Sequence, residues 1–301
     1  MSVSVDPNKI LSQLEGLSVY DFKIGHVLGE GAFGAVYHAQ NESGELAAVK
    51  ATLKHHIGIE EARVLRMLNG IRFVPRMIWY GVNHGLFLIV MSHELTSVYS
   101  LLTAEPTRSF SRKTSQSIMF QSSLGLSEIH CRRIIHRDLK LGNLLVSLPY
   151  GPTNKVIVKI ADFGLSKEYA NEDGELLPDR VTFLHEKHRF ASLSVLSGNT
   201  PTPRDDWIQM SFAFMSLLGF TLPKEDSVCV DFKKHLATAT LSTLPDQCRW
   251  MGALFEAIFA IPNDYGIDQD KILDSIYAVK LDSDQKMSLH MVEFDEKYAL
   301  L

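Results

Sequence analysis

His136-Arg137-Asp138-Leu139-Lys140-Leu141-Gly142-Asn143, followed further along by Asp162-Phe163-Gly164, is the stretch on which the reading of this chain turns. It places a carboxylate, a lysine and a carboxamide within six positions, then a second carboxylate just ahead of an aromatic residue and a glycine. Moving a phosphoryl group from ATP to an alcohol needs a carboxylate beside the attacking hydroxyl, a cation on the transferred phosphate and oxygen ligands for magnesium. Asp138 is the candidate hydroxyl-orienting base and Lys140 the cation for the γ-phosphate. Asn143 and Asp162 are the candidate Mg²⁺ ligands. A lone Asp or Asn is more often a loop cap or turn residue. Four such groups in this order are not explained that way.

Upstream lies Gly29-Glu30-Gly31-Ala32-Phe33-Gly34. Glycines let backbone N–H groups approach phosphates with no Cβ in the way. The spacing alone is also that of dinucleotide-binding folds. Here, however, Val36-Tyr37-His38-Ala39 continues it as a strand and not as a helix, which predicts a hairpin covering phosphates. Lys50, sixteen residues after Gly34, ends the apolar run Leu46–Val49, which suggests a cation aimed inward at the α- and β-phosphates. Residues 58–69 take helical spacing, and Glu61 shares the face of Leu65 and Leu68. That selects Glu61, not the adjacent Glu60, as the partner of Lys50. Leu28, Gly29, Gly31, Gly34, Val36, Ala48, Met91 and Leu145 complete the expected ATP-binding set, with Met91 at the border of the adenine pocket.

These residues resemble the motif set of protein kinases. Residues 21–280 are more narrowly similar to the casein kinase 1 superfamily. His188-Arg189-Phe190-Ala191-Ser192 resembles its R-Y-A-S element. Arg204-Asp205-Asp206-Trp207 resembles the start of its central helix, and Asn69-Gly70, Pro75 and Trp79-Tyr80-Gly81 its glycine–proline–glycine stretch. The glycine loop through Tyr37, the run Tyr169–Gly174 and the insertion Ser147-Leu148-Pro149 look most like the tau-tubulin kinase branch. The resemblance implies an α+β fold of two lobes: a small sheet lobe with one helix over 21–91 and a larger, mainly helical lobe over 95–281. Residues 1–20 would then be an N-terminal extension and 282–301 a C-terminal tail.

The implied activity is that of a serine/threonine protein kinase, H-R-D-L-K being the serine/threonine form, with ATP and Mg²⁺ as cofactors and proteins as substrates. His136 and Arg137 would be architectural, one beneath Phe163 and the other on the activation segment. Arg189 matches a position that contacts acidic or phosphorylated substrates; with Lys187, and with Arg180 and His188 nearby, it is the candidate substrate anion site. One departure stands out: Glu186-Lys187 replaces the family's Gly-Thr and brings a second cation toward Asp138. A pseudokinase scaffold is the rival reading it supports. Thr182 is a candidate phosphosite.

Composition bounds the rest. The chain has 301 residues, 46% of them hydrophobic, enough for a large core. A net charge of −5 argues against nucleic acid as a partner. Three cysteines without a C-x-x-C pair suit a reducing compartment. No run of about 18 apolar residues and no signal-peptide pattern is present, so no membrane association is expected. A monomer in the cytoplasm or nucleus is the expectation. Ser111–Cys131 reads as a long helix, 155–161 as a short strand and 204–220 as a helix apolar on nearly all sides. Two further helices are expected over 244–260 and 268–279, and a helical turn near Ile10–Leu14.

Overall fold

A computed structural model describes residues 14–31, 34–149, 154–175, 177, 189–261, 272–274, 289–294 and 297–300. The first part is a six-stranded antiparallel sheet. Its strands are β1 (Ser18–Val19), β2 (Phe22–Gly31), β3 (Gly34–Asn41), β4 (Leu46–Thr52), β5 (Met77–Asn83) and β6 (Leu86–Ser92), in the order β1-β2-β3-β4-β6-β5. Helix α1 (His55–Met67) joins β4 to β5. Side chains alternate across a strand, and that period divides the residues here. Ala35, Tyr37, Ala39, Ala47, Val49 and Ala51 pack on one face with Leu14 and Val19. The register sets Val36 opposite Lys50 and Ala48 opposite Met91, so these four share the other face. The sheet begins before residue 21: Leu14 is buried in it, and the Gly16 amide donates to the Ile24 carbonyl.

The chain leaves through His93 into β7 (Glu94–Ser97) and α2 (Val98–Ala104), then α3 (Arg112–Cys131), capped by the Ser111 hydroxyl. Short strands follow: β8 (Ile134–Ile135), β9 (Leu144–Ser147), β10 (Lys155–Val156), β11 (Val158–Ile160) and β12 (Lys167–Glu168). Where one strand was expected over 155–161 there are two, and they belong to different sheets: β11 pairs with β9, and β10 with a distant hairpin.

Beyond them lie α4 (Leu193–Leu196), α5 (Pro203–Leu217), α6 (Asp226–Thr238), α7 (Thr240–Thr243) and α8 (Gly252–Phe259). The expected helix over 244–260 is a 3₁₀ stretch, Asp246–Met251, running into α8. Most of 268–279 and residues 10–13 lie outside the described residues. Helix α5 buries Trp207, Met210, Phe212 and Phe214, and is surrounded by protein as its all-round apolarity demands. The final strands, β13 (Leu289–Phe294) and β14 (Lys297–Leu300), form a hairpin that pairs with β10, with Leu289 and Leu300 buried. The architecture is thus two-lobed, a sheet with one helix over a mainly helical body. Among the described residues, no helix is long and apolar enough to cross a membrane.

Candidate active site

Lys50 and Glu61 come from the small lobe, Asp162 from the large one, and they meet between the two. Lys50 Nζ lies 2.7 Å from Glu61 Oε1 and 2.7 Å from Asp162 Oδ1. Strand β4 delivers Lys50 on the sheet face that looks onto α1. Gly58 allows α1 to come this close, since a Cβ there would sit 2.4 Å from the Phe87 ring. Glu61 is 2% exposed, while Glu60 turns outward to Arg63. Burial works against the charge on Lys50, but the Glu61 and Asp162 carboxylates outweigh it and hold the ammonium above the ordinary lysine range. Burial pushes the Glu61 carboxyl up, and Lys50 pulls it back only in part. Burial also acts to raise Asp162, yet the charge and hydrogen bond of Lys50 win and hold it below its ordinary value. Its side chain, 42% exposed, opens into the space between the lobes.

The loop after β8 carries the second group. Lys140 Nζ is 2.8 Å from Asp138 Oδ2. Asn143 Nδ2 donates to the same oxygen at 3.1 Å and to the Asp138 carbonyl at 2.8 Å, which turns Asn143 Oδ1 away as an acceptor. The ring of His136 donates to the Ala161 carbonyl at 3.0 Å and meets Phe163 edge-on at 4.9 Å. Arg137 Nε donates to the Leu165 carbonyl, tying the loop to the segment beyond Gly164. Arg137 and Asp162 both have positive φ, 71° and 67°. Backbone held in that region is costly for residues with a Cβ, and it persists where the surroundings over-determine it.

Asp206 supplies that determination, and reading the sequence did not assign it the role. From the first turn of α5 it accepts the His136 amide at 2.7 Å, the Arg137 amide at 2.8 Å and His130 Nε2 at 3.0 Å. Gln209, one turn on, accepts the Leu139 amide at 2.9 Å. A carboxylate at the start of a helix that is apolar on nearly all sides was the available signal, because a buried charge must have partners.

Gly29 pairs with Val36 and Gly31 with Gly34, so the glycine loop is a hairpin, as its continuation into a strand suggests. Ala32 and Phe33 at its tip lie outside the described residues. Leu28 is exposed on β2, and Val36 and Met91 are half-buried on the Lys50 face, where Ala48 is buried. Leu145 is half-buried on β9, opposite Lys159 and Ser97. At Gly34 a Cβ would fall 1.8 Å from the Ala51 carbonyl oxygen. Gly34→Ala is therefore expected to displace β3 from β4 and lower the unfolding free energy by about 1–3 kcal/mol, the usual cost of overpacking, as read from a urea unfolding curve.

Arg189 is exposed, and its guanidinium donates to the carbonyls of Leu222 and Pro223. Lys187, Glu186, His188, Arg180 and Thr182 lie outside the described residues, so only one member of the expected anion site is placed. Among the described residues no three His, Cys, Asp or Glu side chains gather as a metal cage.

Residues 22–243, well over half the chain, match the protein kinase domain family. A stretch of 216 residues is 26% identical to Casein kinase I homolog 3 of Schizosaccharomyces pombe, covering 67% of this chain and 47% of that protein. The chain thus spans about half the length of the curated relative it matches.

Proposed function

Because the chain belongs to the protein kinase domain family, we propose that it is an active serine/threonine protein kinase of the casein kinase 1 superfamily, closest to the tau-tubulin kinase branch. The observation that carries this reading is the ion network Lys50–Glu61–Asp162 spanning the two lobes beside Asp138, Lys140 and Asn143. The donor set fits Mg²⁺ and a nucleotide. Hard cations take oxygen ligands, and Asn143 Oδ1 and Asp162 Oδ2 are the oxygens left over once Asp138 and Lys50 are satisfied. A single carboxylate and an amide do not cage a metal alone, so phosphate oxygens would complete the set. Bound there, MgATP supplies the transferable phosphoryl group.

The chain's own residues supply position and charge. Val36, Ala48 and Met91 form an apolar wall for a purine. Lys50, kept fully charged by its two carboxylates, faces the phosphates. Asp138, steadied by Asn143 and Lys140, orients the incoming hydroxyl. Since the transition state is loose, positioning and charge neutralisation account for most of the acceleration. Arg189 and Lys187 are proposed to favour substrates that are acidic or already phosphorylated, with the guanidinium nitrogens of Arg189 that do not hold Leu222 and Pro223 facing the anion.

The test is transfer of labelled phosphate from ATP to casein, followed by phosphoamino-acid analysis, with Asp138→Asn purified in parallel. Labelled phosphoserine or phosphothreonine, magnesium-dependent and at background level in the variant, is the expected result. Equal signal from both proteins would mean a contaminating kinase. No signal from either, with MgATP still raising Tm, would assign the fold to a nucleotide-binding scaffold.

A further inference from the structure

Lys233 sits on α6 with 3% of its surface exposed. Its ammonium donates to the buried carbonyl of Ala191 at 2.7 Å and lies 5.3 Å from the centre of the Phe212 ring. Among the described residues it has no ion-pair partner. Burial lowers its pKa, with Cys229 and Asp226 opposing and Arg189 adding to the effect. A buried ammonium without a carboxylate is an expensive choice, and an apolar side chain of the same length would occupy the space at lower cost. The acceptor it has among the described residues, the Ala191 carbonyl, indicates what use would offset that cost.

Ala191 belongs to a short stretch tied on three sides. The Ser192 hydroxyl donates to Asp205, next to the Asp206 that holds the catalytic-loop amides. Arg189 holds the loop after α5 through Leu222 and Pro223. Lys233 fastens the middle of the stretch to α6. The start of segment 189–198 is thus fixed to α6 and to the first turn of α5, whose Asp206 in turn holds the loop bearing Asp138. A polypeptide that delivers a hydroxyl to Asp138 is read by the surface continuous with that loop.

We propose that Lys233 is a positioning residue that locks segment 189–198 between α6 and the first turn of α5, which holds the catalytic loop, and so sets the surface on which a protein substrate lies. The substrate part rests on the kinase reading above; the locking part does not. The test compares wild type, Lys233→Met and Lys233→Arg. Hydrogen exchange is followed for peptides covering 189–198, α6 and the small lobe, and KM is measured for casein and for ATP.

In Lys233→Met, exchange in 189–198 should speed up roughly tenfold while the small lobe is unchanged. KM for casein should rise roughly tenfold at constant KM for ATP. Lys233→Arg, which keeps a buried donor for Ala191, should restore both. Unchanged exchange in 189–198, a uniform increase over the whole chain, or failure of Lys233→Met to fold would each overturn the proposal, since the last two are what a purely structural lysine gives. If wild type transfers no phosphate the kinase reading falls, and the exchange measurement still decides whether Lys233 holds the segment.

Discussion

Asp206→Ala is expected to abolish phosphate transfer and to destabilise the protein by about 3–9 kcal/mol. Asp206 is 1% exposed and accepts three hydrogen bonds, two from backbone amides of the catalytic loop and one from His130. Alanine leaves three donors with no acceptor and no access to water, each costing about 1–3 kcal/mol. The loss does not stay local. His136 and Arg137 would be free to leave the geometry that presents Asp138, and the positive φ of Arg137 would relax. Asp206→Asn should rescue little. One of its two terminal groups becomes an N–H donor, and either orientation turns that donor toward a group that also donates. Urea unfolding and casein phosphorylation measure the two effects. An unfolding free energy within about 1 kcal/mol of wild type would mean that the amides find other acceptors and that α5 does not hold the loop.

How much of this was legible in the sequence follows from the range over which each signal acts. The glycine hairpin, Lys50 and the loop from His136 to Asn143 are local patterns in which residue type and spacing carry the chemistry directly. The choice of Glu61 over Glu60 was legible as well, because a helix face is a local property: Leu65 fixes which side is inward.

Asp206 was seen as part of a motif, but its role depends on amides some 70 residues away, which no period reveals. Helix α6 was not anticipated. Cys229, Phe232 and Leu236 have helical spacing, but the inward position after Phe232 is Lys233, and a buried cation spoils the apolar stripe that marks such a helix. The terminal hairpin falls within residues 282–301, which read only as a tail. Leu289 and Leu300 have a place to be buried only once β13 pairs with Lys155–Val156, a contact across most of the large lobe's sequence. The local pattern was readable; the long-range bonds that hold it in place were not.

Lys50→Met is expected to lower phosphate transfer by about 10²–10³-fold, the typical cost of removing one preorganised donor from a site where charge develops. Methionine keeps most of the volume, so the effect isolates the charge. Stability should fall by about 2–3 kcal/mol. That is less than the 3–5 kcal/mol for breaking a fully buried pair, because Glu61, already pushed up by burial, can take a proton and shed its charge.

The pH dependence has a definite sign. Lys50 is raised in the folded state, so its contribution is full below its unfolded value of about 10.4 and is lost only as pH rises through the higher folded value. Asp162 is lowered, so its contribution is full above about 3.9 and is lost as pH falls through the lower folded value. Between about pH 5 and 9 these two contributions are therefore flat, and Glu61, whose carboxyl is held above its ordinary value by burial, gives the network its slope, with stability falling as pH rises toward its folded value. In Lys50→Met that slope should steepen, because Glu61 without its cation favours the protonated state more strongly and is stabilised by acid.

The double variant Lys50→Met with Glu61→Leu removes both buried charges. Unfolding should return close to the wild-type midpoint, since an apolar pair of similar volume commonly replaces a buried ion pair at no cost. Phosphate transfer should stay as low as in the single variant. Recovery of activity along with stability would show that the network only braces α1 against the sheet. Loss of activity that persists in a protein of restored stability assigns Lys50 to the phosphates.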